Sequence, residues 1–408
     1  MSNRVVITGL GAVTPIGIGT DEFWQGMIAG KNGISEITAF DTSSYPHRRG
    51  GQIKDFDPAV FLEPEQIERI GRASQLAIVA SKMAMGDAGI THLSNPRRVG
   101  VSLGTTYGEP GILEQEDDLW ITGGPQSIGS CVALKNSSYL PAINVAVEFG
   151  VEGMVETLLN ACAAGNCAIG YAFDQIKMGC LDVVIAGGAE GMSRVGLAGF
   201  NRLFAVAPEI CQPFDKNRKG MMLSEGAGVL VMERLEHAVA RRASIYAEVA
   251  GYGVSCDAYH ITGPHPRGIG AIRAMESALA ESKITLDQVD YINAHGTGTP
   301  ANDKVESLAI KEVFKDRAQQ IPVSSIKSML GHSMGAASAI EAVASALVIK
   351  RGVIPPTINY QDPDPECDLD YVPNTSREQP VNTVISNALA FGGNCAVLAL
   401  RKFDNRVN

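Results

Sequence analysis

Short apolar runs alternate with amphipathic stretches along most of the chain. The apolar runs predict buried strands at 4–18 (with a glycine-rich turn), 97–103, 181–188, 226–233, 247–254, 289–294 and 323–326. Stretches with apolar residues at three- and four-residue spacing predict helices at 21–29, 66–89, 168–178, 268–282, 303–313 and 336–349. Buried strands that alternate with helices in this way predict an α/β fold with mostly parallel sheets.

Two alanine-rich helices suggest that the pattern is internally duplicated. One opens at Cys162 and ends near Gly179, and the other opens at His332 and ends at Gly352. A repeat of this kind predicts two helix N-termini that meet at a pseudo-twofold centre.

Composition sets bounds on the class of protein. The length of 408 residues allows two or three domains, or one large duplicated unit. With 45% hydrophobic and 19% charged residues, the chain can form a large core. The net charge of −10 argues against nucleic acid or an anionic membrane as the main partner. The glycines Gly9 and Gly11 follow a strand, but Pro15 interrupts the helix that a nicotinamide-binding turn requires.

The eight cysteines show no paired C-x-x-C spacing, which argues against a structural zinc site and a disulfide framework. The N-terminus has no signal-peptide pattern, and no apolar run reaches membrane-spanning length. These features predict a cytoplasmic protein with reduced thiols and without a membrane span.

Cys162 is the first candidate for chemistry. It lies among small residues where a turn enters a helix, and unpaired N–H groups at a helix N-terminus favour a thiolate. The sequence therefore predicts an accessible sulfur with a lowered pKa. The alternative is a small buried hydrophobic residue, the commonest fate of a free cysteine.

Two histidines share one local setting. His295 and His332 each follow a predicted strand, and glycine flanks both of them. Loops at the carboxyl ends of strands build the sites of α/β proteins. One cysteine and two histidines in such loops predict nucleophilic catalysis with proton transfer.

Three motifs carry a resemblance to a known family. They are Ala-Cys-Ala-x-Gly at Cys162, His-Gly-Thr-Gly-Thr at His295 and Lys-Ser-x-x-Gly-His at His332. In this order and spacing they resemble the β-ketoacyl-acyl-carrier-protein synthases of the thiolase superfamily. Further matching segments, from the opening strand to Phe391-Gly-Gly393, extend the resemblance over nearly the whole chain.

The resemblance implies a duplicated thiolase-like fold with five layers, α-β-α-β-α. Residues 1–245 would form the half with the nucleophile, and residues 246–408 the half with both histidines. It also implies a decarboxylative Claisen condensation, in which an acyl group on Cys162 is extended by two carbons from malonyl carrier. Either a fatty-acid or a type II polyketide or polyene pathway would use this reaction.

The resemblance also implies roles for individual residues. His295 and His332 would assist loss of CO₂ and stabilise the enolate, with support from Lys327 and Glu341. The backbone N–H groups of Cys162 and Phe391 would form an oxyanion hole. The residues that would contact the pantetheine arm are Thr262, Thr297 and Thr299.

The implied partners are an acyl carrier protein and either a second copy or a chain-length-factor subunit, with neither metal nor dissociable cofactor. We expect the acidic carrier to dock on scattered cations near the entrance, namely Arg69, Arg72, Lys135 and Arg202.

Three departures from the family pattern bear on the substrate. Leu389-Ala390 replaces a glycine-containing gate, residues 204–212 form a shortened connection, and Tyr107 lies where the family lines its acyl pocket with a smaller residue. A tyrosine there would shorten the pocket. We therefore expect short or rigid, unsaturated acyl donors, as in a polyketide or polyene system; long saturated chains in ordinary fatty-acid elongation are the alternative.

Three other classes of protein fit these residues less well. A non-catalytic chain-length factor usually lacks the cysteine, which this chain has at Cys162. A thiolase needs a second catalytic cysteine, and Cys395 is not in a thiolase-type setting. A cysteine hydrolase leaves the second histidine and Lys327 unexplained.

Overall fold

The computed structural model describes residues 3–129 and 132–404. Cys131, one of the eight cysteines, lies outside the described residues. The strands are β1 (Val5–Thr14), β2 (Gly17–Ile18), β3 (Ser35–Glu36), β4 (Arg49–Gly50), β5 (Val99–Gly104), β6 (Val155–Leu158), β7 (Val183–Glu190), β8 (Gly226–Arg234), β9 (Ala247–Cys256), β10 (Tyr291–Asn293), β11 (Val323–Ser324), β12 (Val353–Ile354), β13 (Arg377–Glu378), β14 (Thr383–Leu389) and β15 (Asn394–Arg401). The α-helices are α1 (Thr20–Ile28), α2 (Pro64–Arg69), α3 (Arg72–Asp87), α4 (Pro110–Gly123), α5 (Val132–Lys135), α6 (Leu140–Phe149), α7 (Ala164–Lys177), α8 (Arg194–Arg202), α9 (Leu235–Ala240), α10 (Ile269–Ser282), α11 (Pro300–Phe314), α12 (Lys327–Leu330) and α13 (Ala337–Arg351).

The same strand order occurs twice. The first set runs β6-β5-β7-β8-β1 and the second runs β11-β10-β14-β15-β9. In each set the three outer strands are parallel, and the last two pair antiparallel. Three residue pairs between β1 and β9 join the sets into one ladder. The topology is that of a duplicated unit.

Helices separate and cover the two sets of strands. Helices α3 and α6 pack on the outer face of the first set, and α10 with α11 covers the outer face of the second. Between them lie α7 and α13, which contact strands of both sets and each other. Because α13 is buried on all sides, its sequence is almost continuously apolar or small. The five layers α-β-α-β-α and the α/β class are therefore confirmed.

Two predicted helix boundaries are wrong. The predicted helix at 66–89 is two helices, α2 and α3, separated at Ile70 and Gly71. The Glu109 carboxylate approaches the Gly71 backbone so closely that a Cβ there would lie 2.0 Å from its oxygen. This contact comes from a distant loop, so periodicity alone did not reveal it. Helix α7 also begins four residues earlier than predicted, immediately after the turn that holds Cys162.

Among the described helices, none is long and apolar enough to cross a membrane. The described cysteines are all free thiols.

Candidate active site

Cys162 lies in a tight 3₁₀ turn, Ala161–Ala163, between β6 and α7. Ala161 opens the turn at φ 48°, a conformation that costs a residue with a side chain about 1–2 kcal/mol. A second turn, Met334–Ala336, precedes α13 in the same way, and Met334 opens it at φ 47°. In the duplicated topology, the residue that corresponds to Cys162 is therefore Gly335.

The two turns are held together by the helices that follow them. The Asn166 backbone N–H donates to Ser338 Oγ at 3.0 Å, which joins the first turn of α7 to that of α13. The Asn166 side chain also donates to the carbonyls of Ser386 and Ala396, in β14 and β15. Gly165 permits this approach, since a Cβ there would lie 2.6 Å from the Ala339 nitrogen. The predicted meeting of two helix starts is present.

His332 reaches Cys162 from the loop between β11 and the second turn. The ring Nε2 lies 3.0 Å from Cys162 Sγ, and both side chains are buried. This connection has nine residues and includes the short helix α12, whereas the corresponding connection between β6 and the first turn has two residues. The longer loop provides the length from which both Lys327 and His332 enter the site.

His295 lies just after β10, and its ring centroid is 5.3 Å from that of His332. Two buried carboxylates of α11 hold this loop: Glu306 accepts the N–H groups of His295 and Gly296, each at 2.8 Å. Asp303 accepts the N–H groups of Thr297 and Gly298. Sequence reasoning missed both acids. Their signal is a pair of carboxylates three residues apart on one helix, directly after the histidine motif.

Lys327 and Glu341 form an ion pair that is almost completely buried. The Lys327 ammonium donates to Glu341 Oε1, and burial raises the pKa of Glu341 to about 7 despite that pairing. The Lys327 charge also acts on the reacting groups, because it lowers the pKa of His295, His332 and Cys162. Its predicted support of the histidines thus has an electrostatic basis in the structure.

Burial determines the protonation states of the reacting groups. It is the largest cause that holds the pKa of His295 and His332 well below the ordinary value, so both rings are neutral at pH 7. The predicted lowered pKa of Cys162 is wrong: burial raises the pKa of the thiol to about 12. The predicted accessible sulfur is wrong as well, since Cys162 is only 8% exposed. Desolvation of the sulfur outweighs the favourable helix end.

Two backbone N–H groups converge on the sulfur. Those of Cys162 and Phe391 both donate toward it and lower its pKa, although less than burial raises it. The same two donors are available to an oxygen that develops negative charge on a carbonyl carbon bonded to the sulfur. This is the arrangement that the predicted oxyanion hole requires.

A cavity of about 210 Å³ leads from the surface to Cys162, His295 and His332. Its walls include the predicted arm-binding residues Thr262, Thr297 and Thr299, together with Leu389 and Phe391. The hydroxyls of Thr297 and Thr299 lie 2.8 Å apart. The other walls are mostly apolar, as a site for an apolar chain requires; the main contributors are Phe200, Leu203, Ala205, Met221, Ala271 and Val305.

Tyr107 does not line this cavity. Its ring lies in an adjoining apolar cluster with Met192, Leu197, Phe200 and Phe391. Burial is the largest cause that raises the pKa of Tyr107 to about 12, and the nearby Glu190 and Cys162 contribute to the same rise, which places the phenol near the nucleophile. Sequence reasoning missed the residue that positions this loop: Glu190 accepts the N–H groups of Thr106 and Tyr107.

The segment Leu389–Gly393 forms the wall next to the sulfur. Phe391 packs against Phe200 at 5.8 Å between ring centroids. Ala390, which replaces the glycine expected in the family, is extended, whereas Gly392 and Gly393 follow with φ of 75° and 74°. The backbone freedom of this segment therefore lies after the phenylalanine rather than before it.

Of the four predicted docking residues, only Arg202 adjoins a cavity-lining residue in the sequence. Arg72 binds the buried Glu225 carboxylate at 2.9 Å, which gives it a structural role. Arg69 is paired with Glu65, and Lys135 donates to the Glu68 carbonyl. The contact with Glu68 places Lys135 beside Arg69, and the docking of a carrier on these four cations stays a prediction.

The donor atoms of Cys162, His295 and His332 lie within 4.8 Å of one another, a spacing that could also suit a thiophilic cation. The nearby Lys327 ammonium opposes a second positive charge in this buried space. The arrangement is better suited to proton transfer and to stabilising negative charge.

Comparisons with known proteins agree with this geometry. Residues 2–238 match the family model of the β-ketoacyl synthase N-terminal domain, and residues 246–361 match that of the C-terminal domain. The chain is 42% identical to 3-oxoacyl-[acyl-carrier-protein] synthase 2 of a Synechocystis species, over 98% of both chains. It is 40% identical to the enzyme of the same name from Staphylococcus aureus, over 99% of both.

Two solved structures are also similar. The ishigamide ketosynthase/chain length factor has a TM-score of 0.95 and 40% identity, covering 99% of this chain and 100% of that one. A type II polyketide ketosynthase, solved with its acyl-carrier protein and bound to the hexaketide, has a TM-score of 0.92 and 35% identity, with the same coverage. The predicted thiolase-like fold and the predicted enzyme class are confirmed, and the chain belongs to the β-ketoacyl synthase family.

Proposed function

We propose that Cys162, His295 and His332 carry out the decarboxylative condensation by which this family of acyltransferases extends an acyl chain. The single observation that carries these roles is the contact between Cys162 Sγ and His332 Nε2, with His295 alongside in the same buried cavity. This arrangement places one nucleophile and two neutral imidazoles around one point.

In the first half-reaction, Cys162 Sγ attacks the thioester carbonyl of an acyl carrier. Because the thiol is protonated in the resting enzyme, His332 Nε2 accepts its proton as the S–C bond forms. The N–H groups of Cys162 and Phe391 stabilise the tetrahedral oxyanion. When that intermediate collapses, the carrier sulfur leaves with the proton, and an acyl-Cys162 thioester remains.

In the second half-reaction, malonyl carrier occupies the emptied cavity. Its carboxylate leaves as CO₂, and the electron pair of the broken C–C bond forms an enolate. His295 donates from its Nε2 hydrogen to the enolate oxygen, and neutral imidazoles are suited to this because the charge develops only during the reaction. His332 donates there as well once its ring has exchanged tautomers, because the Nε2 that accepts the thiol proton in the first half-reaction must carry the hydrogen in the second. The enolate carbon then attacks acyl-Cys162 and releases the thiolate, which is reprotonated.

We propose that the substrates arrive on an acyl carrier protein and that the reaction uses neither metal nor dissociable cofactor. The support is a partly open cavity that carries threonine hydroxyls along the path to the sulfur. The free thiols also fit a reducing compartment, and the cytoplasm is our proposed location.

We further propose two halves, residues 1–245 and 246–408, and an assembly with a second copy or a chain-length-factor subunit. The repeat of strand order supports the halves, because residues 235–246, which include α9, are the connection between the two sets. Strand β6 supports the assembly, because it ends the ladder and the adjacent Leu159 is 55% exposed.

The proposed donor is a short or rigid, unsaturated acyl chain of a polyketide or polyene system. Tyr107 packs in one apolar cluster with Phe200 and Phe391, which also line the cavity that contains Cys162, and we propose that this cluster occupies the space that a long chain would need. We expect Tyr107→Ala to open that space and shift the preference toward longer chains, by up to about 0.8 kcal/mol per added methylene. Tyr107→Phe is the matched control, because it keeps the ring and should leave the preference unchanged.

A panel of acyl carriers tests the donor. Mass spectrometry of the Cys162 adduct should show faster loading of short or polyene chains than of a sixteen-carbon saturated chain. Equal loading of both would favour ordinary fatty-acid elongation, the second candidate.

The activity itself is tested by measuring CO₂ release from malonyl carrier with and without an acyl donor, and the extended product. We expect the wild-type protein to catalyse the condensation and Cys162→Ala to lose it. Wild-type protein that never forms an acyl-Cys162 adduct would support the non-catalytic alternative, a chain-length-factor-like subunit.

A further inference from the structure

Helix α8 ends in an unusual way at the mouth of the cavity. The Phe204 N–H donates to the Asn201 carbonyl and the Ala205 N–H to the Phe200 carbonyl, a hydrogen-bond pair that closes helices in the Schellman motif. The residue after the helix in this motif must adopt the left-handed conformation, and glycine is the usual choice. Here the residue is Phe204, at φ 54°.

Burial of the Phe204 ring does not offset this strain. The side chain is 88% exposed, the highest value among the exposed large hydrophobic residues of the described chain. A bulky residue in a left-handed position, with its ring in water, is locally unfavourable on two counts. Such local conflicts in a folded protein are expected where function requires them.

The position of Phe204 indicates what would cover it. Leu203 and Ala205, on either side, both line the cavity that leads to Cys162. Other apolar side chains are exposed on the loop that carries Thr262: Tyr259 is 56% and Ile261 78% exposed. Arg202 and Arg267 are exposed as well and form no ion pair with any described residue. The mouth therefore presents apolar side chains accompanied by unpaired cations.

We propose that Phe204 is the apolar anchor on which the acyl carrier protein docks. The inference rests on the proposed function, in which the substrate is tethered to a carrier whose body must remain at the mouth while its arm reaches Cys162. A carrier of acidic character complements Arg202 and Arg267, and its apolar surface would remove the Phe204 ring from water. Aromatic anchors surrounded by polar contacts are typical of interface hot spots.

Replacing Phe204 by glycine distinguishes an effect on carrier docking from an effect on folding. Phe204→Gly should raise the melting temperature by about 1–3 °C, because glycine suits the left-handed position. It should also lower kcat/KM for acyl and malonyl carriers about tenfold, mainly through KM. With the corresponding N-acetylcysteamine thioesters, which lack the carrier, kcat/KM should stay within about twofold of wild type. Phe204→Asn, which tolerates the same backbone, should reproduce the kinetic effect.

Lys283 provides the matched backbone control. It ends α10 with a similar hydrogen-bond pair at φ 56°, and its side chain is exposed. Lys283→Gly should give a similar rise in melting temperature with no change in kcat/KM for the carriers.

The possible outcomes distinguish this inference from the proposed function. Wild-type protein that condenses neither carrier-bound nor free thioesters would overturn the proposed function. If the wild type is active and Phe204→Gly has the same KM for the carriers as the wild type, only the proposed anchor role of Phe204 is overturned. Equal losses with carriers and free thioesters would show that Phe204 shapes the cavity. A changed oligomeric state by light scattering would show that a second copy covers the ring; either result overturns the proposal.

Discussion

The turns Ala161–Ala163 and Met334–Ala336 have nearly the same backbone but different chemistry. Both follow the edge strand of a set, β6 or β11, open with a residue at φ near 48°, and lead into a central helix. The first presents a thiol to the cavity. The second presents Gly335, whose N–H donates to the buried Glu190 carboxylate at 3.1 Å. The same strained turn therefore positions the nucleophile in one half, whereas in the other half it has a structural role.

The difference between the halves lies in what precedes each turn. Two residues lead into the first turn and nine into the second, and the longer loop carries Lys327 and His332. His295 also comes from the second half, just after β10. One half thus provides the reacting sulfur, and the other provides the groups that control protons and charge. A duplicated fold yields one site rather than two because the loops diverged.

The largest expected effect follows from removing the chemistry of the first turn. Cys162→Ala should lower condensation by roughly 10⁴-fold or more, since no other group replaces the covalent step. Mass spectrometry should show no acyl adduct. Cys167→Ala, one turn further along α7, is the control and should keep both the adduct and the activity. An acyl adduct on Cys162→Ala would refute the assignment of the nucleophile.

The variants of the two histidines should differ in which half-reaction they slow. Because the protonated thiol lies 3.0 Å from His332 Nε2, we expect acylation to depend on His332 but not on His295. His332→Ala should slow both acylation and decarboxylation by roughly 10²-fold. His295→Ala should slow decarboxylation similarly and leave acylation nearly intact. Rapid-quench measurement of each half-reaction checks this, and intact acylation in His332→Ala would contradict it.

Removing the Lys327 charge should change the pH dependence. The ammonium disfavours the imidazolium forms, so its loss raises the pKa of His295 and His332 toward the ordinary value. As the pH is lowered, both rings then become protonated at a higher pH than in the wild type. The acid limb of the profile of decarboxylation rate against pH therefore shifts to higher pH. The double variant Lys327→Met/Glu341→Gln avoids an unpaired buried carboxylate, and Glu341→Gln alone is the control. An unshifted acid limb would exclude this electrostatic role.

The smallest expected effect is a loss of stability when Gly335, in the second turn, is replaced. A Cβ at Gly335 would lie 2.4 Å from the Thr105 backbone, so Gly335→Ala should destabilise the protein by about 1–3 kcal/mol in urea unfolding. Gly199→Ala is the control, because a Cβ there meets nothing within 4 Å. A fully stable Gly335→Ala would show that the two turns are less constrained than their shared geometry indicates.

Much of the fold could be predicted from periodicity. Strands such as β7 and β8 are continuous apolar runs, and the small residues of α13 reflect its burial between the two sets of strands. The break at Gly71 could not be predicted, because it depends on Glu109, which is distant in sequence. Long-range contacts of this kind override a local helical pattern.

The identities of the reacting residues could also be predicted, but their electrostatics could not. The motifs indicated Cys162, His295 and His332, whereas the thiol pKa depends on burial that only the assembled halves create. Glu190 could not be predicted for a similar reason, because it accepts the backbone N–H groups of a distant loop, which leave no residue-type signature. Glu306 differs, since its pairing with Asp303 directly after the histidine motif is visible in the sequence.

The placement of α13 between the two sets of strands affects how the chain folds during synthesis. All strands of the first set have been synthesised once residue 234 is made, yet the inner face of α7 has no covering until α13, which begins about a hundred residues later, is also made. During that interval an apolar surface is exposed to water and to neighbouring chains. We expect the nascent chain to depend on chaperones at that stage and to acquire its reactive centre only as the last strands join the ladder.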